Sequence, residues 1–171
     1  MKIHLTTGVG TGPTTLAAFD AALNHADIAN YNLLRLSSVI PPETEIIEHE
    51  SGLDGVKLPG QWGDRLYVVM AEMRVDTPNA EAWAGIGWVQ DKETGQGLFV
   101  EHEGMSEATV RNDITQSLEA LMATRNINYG PIQMKVVGKT CSHLPVCAMA
   151  IAVYQASDWQ NNALFIGGDN V

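Results

Sequence analysis

A chain of 171 residues, 45% of them hydrophobic, is enough for one domain with a full core, and no linker marks off a second. Twenty acidic against 10 basic residues give a formal net charge of -10, which excludes the basic footprint of a nucleic-acid or anionic-lipid binder. Residues 1–7 lack the apolar centre of a signal peptide, and the apolar run 146–153 falls short of the roughly 20 residues that span a bilayer, so a cytoplasmic protein that does not enter the membrane is expected.

Residues 2–7 are short, partly alternating and rich in β-branched side chains, which predicts a strand broken by Gly8-Val9-Gly10-Thr11-Gly12-Pro13. Thr14 and Thr15 can cap a helix whose apolar positions Leu16, Phe19, Leu23 and Ala26 recur at helical spacing. Residues 31–40 are then extended, and Pro41-Pro42 stops them. Gly60-Gln61-Trp62-Gly63 lies in a polar loop. Residues 65–75 and 81–90 read as strands, the second with Ala84, Gly85 and Gly87 where a backbone or helix can approach closely. A turn over 91–95 leads to a returning strand over 97–103. Ser106 and Glu107 open a second helix that runs to about Arg125, with Val110, Ile114, Leu118 and Leu121 on one face. Residues 132–141 and 145–154 form a terminal hairpin across Ser142-His143-Leu144, and the last dozen residues fray. Two helices against about seven strands, many joined by turns, predict an α+β layered domain with a largely antiparallel sheet.

Several familiar chemistries find no anchor. The glycine-rich run has Pro13 or Thr15 where a dinucleotide fingerprint needs its third glycine, and no Gly-Lys-Ser/Thr end for a P-loop. His4, His25, His49, His102 and His143 show no metal-ligand spacing, so no metal is expected. His102 and Glu103, adjacent on a strand, point to opposite faces. There is no Gly-x-Ser-x-Gly elbow for acyl transfer. Cys141 and Cys147 read as small buried hydrophobes, not as a disulfide framework.

What remains is Leu36-Ser37-Ser38-Val39-Ile40-Pro41-Pro42, two adjacent serines in an apolar extended segment that ends in a double proline. One reading is a solvent-facing pair at a strand end. The other is chemical. The Ser38 hydroxyl can attack the Ser37 carbonyl and convert the peptide to an ester; elimination and loss of ammonia then leave a pyruvoyl group at a new N-terminus. That attack needs a strained or pre-oriented peptide.

On these residues the chain resembles the pyruvoyl-dependent arginine decarboxylases over most of its length. The matching stretches are 16–23, 28–42 with its Asn-Leu-x-x-x-Ser-Ser-x-x-Pro-Pro segment, 97–104, and the alanine-rich strand around 147–150. The run 8–13 departs from the more serine-rich segment of that family. The resemblance implies a four-layer αββα sandwich and a homotrimer, sometimes a dimer of trimers, with active sites at subunit interfaces. It implies self-cleavage between Ser37 and Ser38 into chains 1–37 and 38–171, and a covalent pyruvoyl cofactor made from Ser38. It further implies that Glu101 is the proton donor, that Asn32 is catalytic, and that Asp20 binds the guanidinium of an arginine substrate. Taken alone, Glu101 reads equally as a solvated strand carboxylate, Asn32 as a turn residue and Asp20 as an exposed helix acid. Asn32 lies six residues before Ser38, with the same side-chain parity if the segment is continuously extended. The same chemistry on another amino acid, or an unprocessed homologue without catalysis, are the alternatives.

Overall fold

The structure, a computed structural model, describes residues 1–164. The first strand, β1 (Lys2–Thr11), runs straight through the glycines expected to break it. Its odd residues Ile3 and Leu5 pack towards the second sheet, while Gly8 and Gly10 face the first helix, α1 (Thr15–His25). A Cβ on Gly8 would lie 2.1 Å from the Ala22 carbonyl oxygen, and one on Gly10 2.1 Å from that of Ala18. The glycines are therefore a seat for the helix and not a turn. Thr14 caps α1 as expected, its side chain accepting from the Ala17 amide. The face that α1 buries is nevertheless the alanine row Ala18, Ala22 and Ala26, with Leu16 left exposed, because only a methyl fits against the glycine seat.

The expected extended run 31–40 is two short strands, β2 (Asn32–Arg35) and β3 (Val39–Ile40), which belong to different sheets. β4 (Glu45–Glu48), β5 (Arg65–Val75), β6 (Glu81–Gln90) and β7 (Gly97–Gly104) follow, the last three close to expectation. The second helix, α2 (Glu107–Ala123), is capped by Ser106 and buries Val110, Ile114 and Leu118. β8 (Gln133–Thr140), β9 (Val146–Ser157) and β10 (Ala163–Leu164) complete the described chain.

Among the described residues there is one six-stranded sheet, ordered β2-β5-β9-β1-β4 with β10 beside β9, and one four-stranded sheet, ordered β3-β7-β6-β8. Two pairings, β1–β4 and β2–β5, are parallel; the others are antiparallel. The predicted terminal hairpin does not form. β8 bonds to β6 and β9 to β5 and β1, so the link over Ser142–Leu144 crosses between sheets. Of the residues expected to fray, Ala163 and Leu164 pair with β9, and 165–171 lie outside the described residues.

Alternation along each strand sorts the core. On β9, Cys147, Met149, Ile151 and Val153 pack with α1, while Ala150, Ala152 and Tyr154 pack with Ile86 and Phe99 of the other sheet. β6 turns Ile86 and Trp88 to that same core, and Gly85 and Gly87 to α2, where a Cβ on Gly87 would fall 2.1 Å from Ile114 Cγ2. The small residues on β6 thus admit a helix. Both cysteines are free and buried, and burial pushes the Cys147 thiol up to about 12.

Candidate active site

The passage from β2 to β3 carries the chain from one sheet to the other in three residues, Leu36, Ser37 and Ser38. Leu36 stays tied to the first sheet, its amide donating to the Val68 carbonyl at 2.8 Å. Ser38 already belongs to the second, its carbonyl accepting from the Phe99 amide at 2.8 Å, and Val39 and Ile40 pair with Leu98 and Gly97. The turn between these anchors falls on Ser38, whose φ is +65°. A residue with a Cβ in that left-handed region stores roughly 1–3 kcal/mol, held only because the surroundings fix it. The strain the chemistry calls for thus sits on the serine itself.

Glu101 reaches this turn from β7. It shares strand parity with Phe99, so its side chain points towards the space between the sheets and not at α2. There it accepts a hydrogen bond from the Ser38 hydroxyl. The two line a cavity of about 550 Å³ together with Ser37, His102, Ser117 and Arg125. His102, of opposite parity, has Nε2 2.8 Å from the Ser117 hydroxyl on α2. Tyr154 approaches the same segment from β9, its hydroxyl donating to the Val39 carbonyl at 3.0 Å. Burial, and then the Glu101 charge, push that phenol's pKa well above its ordinary range, so it remains a donor.

Ser37, Ser38 and Glu101 are therefore brought together, but Asn32 and Asp20 are not among the residues around that cavity. Asn32 begins β2, where its backbone amide donates to the Asp64 carbonyl at 2.8 Å and its side-chain amide to Gly63 O at 2.6 Å. The shared parity of Asn32 and Ser38 does not hold, because the segment changes sheets and bends at Ser38 between them. Asp20 is exposed on α1, with the Asn24 side-chain amide donating to its carboxylate at 3.3 Å. Tyr154 and the Phe99 amide escape sequence reasoning. A tyrosine in an apolar strand gives no sign of its target, and a backbone donor has no residue type at all.

Comparison with known proteins shows the family of the chain. The sequence profile of the family described as pyruvoyl-dependent arginine decarboxylase matches residues 2–158. Proteins named pyruvoyl-dependent arginine decarboxylase are similar to the chain in several organisms. The one from Halobacterium salinarum is 36% identical over 128 residues, 73% of this chain and 75% of the relative. That from Thermoplasma volcanium is 34% identical over 123 residues, covering 71% and 65%. That from Nitrosopumilus maritimus is 30% identical over 128 residues, covering 74% and 68%. The chain is a lyase of the decarboxylase class. It belongs to the pyruvoyl-dependent arginine decarboxylase family, named for a covalent pyruvoyl prosthetic group.

Proposed function

We propose that the chain cuts itself between Ser37 and Ser38, carries the resulting pyruvoyl group on residue 38, and decarboxylates L-arginine to agmatine and carbon dioxide. The observation that carries this reading is the Ser38 hydroxyl, hydrogen-bonded to Glu101 on a residue held at φ +65° beside an open cavity. The residues present fit such a group: a half-buried serine with a carboxylate within reach and space for a substrate beside them.

In the self-cleavage, the Ser38 Oγ bonds to the Ser37 carbonyl carbon as the C–N bond breaks, and the hydroxyl proton passes to the freed amine. Loss of the Ser38 Cα proton then expels Ser37 as a carboxylate, and water replaces the nitrogen as ammonia leaves. When bound, a pyruvoyl group supplies an electron sink for loss of carboxylate. The chain's own residues do the rest. Glu101 gives a proton to the former α-carbon, a contribution of about a hundred- to ten-thousand-fold for a positioned acid. Asn32 donates to developing negative charge. Asp20 pairs with the guanidinium, whose planar fork suits a carboxylate.

Because Asn32 and Asp20 stand apart from their own chain's Ser38, the reading is completed by a second copy of the chain at the site, in a homotrimer or a dimer of trimers. The exposure of Val39 (60%) and Leu36 (38%) beside the serines supports an interface there. The helices on the outer faces of two apposed sheets support a four-layer αββα sandwich. No helix in the described residues is long and apolar enough to cross a membrane, and we assign the enzyme to the cytoplasm.

Denaturing mass spectrometry of the purified protein tests the central claim. The cut should divide the 171 residues into fragments of 37 and 134, the larger one blocked to Edman chemistry. Ser38→Ala should stay whole, since no hydroxyl remains to attack. A free N-terminal serine on the larger fragment would mean simple hydrolysis and would overturn the reading.

A further inference from the structure

β9 contains a bulge whose place bears on the scissile bond. Along β5 the partner of Tyr67 is Gln155, but the partner of Val68 is Val153, so Tyr154 is the extra residue. A bulge leaves one residue out of the ladder and re-aims its side chain. Here the effect is visible in the core: Val153 and Ala156, three apart, both face α1, whereas an unbroken strand would put them on opposite faces. Tyr154, the residue at the bulge, keeps the parity of Ala150 and Ala152 and so stays in the space between the sheets, packs edge-on to Phe99 with ring centroids 6.2 Å apart, and delivers its hydroxyl to the Val39 carbonyl.

We infer that Tyr154 is a positioning residue for self-cleavage: its hydrogen bond to Val39, one residue beyond the scissile peptide, holds Ser38 in the bent conformation from which its hydroxyl meets the Ser37 carbonyl. This rests on the self-cleavage reading above. Three ties surround the reacting peptide. Leu36 is held by Val68 on the near side, the Ser38 carbonyl by the Phe99 amide, and the Val39 carbonyl by Tyr154 on the far side. Among the described residues Ser37 itself makes no hydrogen bond, so the carbonyl to be attacked lies free between the tied amide of Leu36 and the tied carbonyl of Ser38. The Phe99 and Tyr154 bonds come from different sheets and grip consecutive peptide units, Ser38–Val39 and Val39–Ile40, which holds the chain in place as it leaves the bend at Ser38. Without the phenol only the second sheet holds this segment, and Ser38 can relax to the ordinary negative φ of an L-residue. The bond that forms, Ser38 Oγ to Ser37 carbon, and the one that breaks, Ser37 carbon to Ser38 nitrogen, are the same as above. Tyr154 exchanges no proton in the step and acts only by restricting geometry.

The test follows the first-order appearance of the 134-residue fragment in freshly folded chain, for wild type, Tyr154→Phe and Tyr67→Phe. Tyr67→Phe removes another phenol hydroxyl near β9, 3.5 Å from Ser157 Oγ, and controls for general loosening. Tyr154→Phe keeps the ring against Phe99; it should cleave about ten-fold or more slowly, as expected when a geometric restraint is lost, while Tyr67→Phe keeps the wild-type rate. As a second arm, a ring-fluorinated, more acidic tyrosine at position 154 should cleave at the normal rate at low pH. Its rate should fall as the phenol ionises and ceases to donate, a pH dependence that a purely structural role would not produce. Equal rates for Tyr154→Phe and wild type, equal slowing by both phenylalanine variants, or a flat pH profile for the fluorinated chain would each overturn the inference. A wild-type chain that never cleaves would instead remove the self-cleavage reading, and this one with it.

Discussion

Glu101 accepts a hydrogen bond from Ser38 in the uncut chain and, in the proposed reaction, returns a proton to the substrate carbon. An amide at 101 still offers an oxygen to the hydroxyl but has no acidic proton. Glu101→Gln should therefore cleave normally yet turn over arginine about a hundred-fold or more slowly, read by carbon dioxide release alongside intact mass. The proposed contact of Asp20 with the guanidinium would be about equal in ground and transition states, so Asp20→Asn should chiefly raise KM. Losing one charge-assisted hydrogen bond costs roughly 1.5 to 3 kcal/mol, or about ten- to two-hundred-fold in kcat/KM. The same variant should discriminate less between arginine and the neutral isostere citrulline; an unchanged preference would leave Asp20 an ordinary helix acid. A third residue registers pH without touching the site. His4 is buried with Nδ1 2.9 Å from His49 Nε2, and its pKa is lowered from 6.5 by burial first, then by His49 and Lys2, against the pull of Glu45. The unfolded chain then binds a proton that the folded chain refuses. This contribution to stability is whole above about pH 6.5 and declines as pH falls below it. Urea midpoints at about pH 7 and about pH 5 should differ more for wild type than for His4→Gln.

Between β1 and α1 the decisive contacts are backbone ones. Gly10→Ala would bring a methyl to 2.1 Å from the Ala18 carbonyl oxygen, and overpacking of that kind costs about 1–3 kcal/mol or more, readable as a lowered Tm. The same helix seat marks the limit of what the sequence discloses. The long strands 65–75 and 81–90 and both helix caps were legible because period and capping chemistry are local. The glycine run read as a turn because the helix that fills it is contributed by residues further along. The stretch 31–40 read as one strand because nothing in its apolar pattern marks where it leaves one sheet for another. Likewise 132–154 looked like a hairpin because sequence neighbours usually pair, whereas here β8 and β9 pair with β6, β5 and β1. Of the site, the serine pair was visible as residue types in a specific segment, and Glu101 only through the family resemblance. The bulge at Tyr154 is a property of register, and no residue type declares it.

On the scale of the whole molecule, the segment proposed to be cut is one of the links by which the chain passes between the two sheets. Residues 1–37 carry β1, α1 and β2, and β1 lies inside its sheet, hydrogen-bonded to β9 on one edge and β4 on the other. Both neighbours belong to the fragment that starts at residue 38. Before the cut, folding is a unimolecular event within one covalent chain. Afterwards the smaller piece is two strands and a helix embedded in a separate molecule, and losing the fold means dissociation. Processed protein should accordingly refold from denaturant with a rate that rises with concentration, while the uncut Ser38→Ala chain refolds at a rate independent of it. Mixing the purified fragments and following intensity of the native signal against dilution distinguishes the two orders of reaction. With the proposed cut, the interior position of β1 gives the protein a history: it is assembled readily only once, as a single chain, and every later refolding begins with an encounter between two bodies.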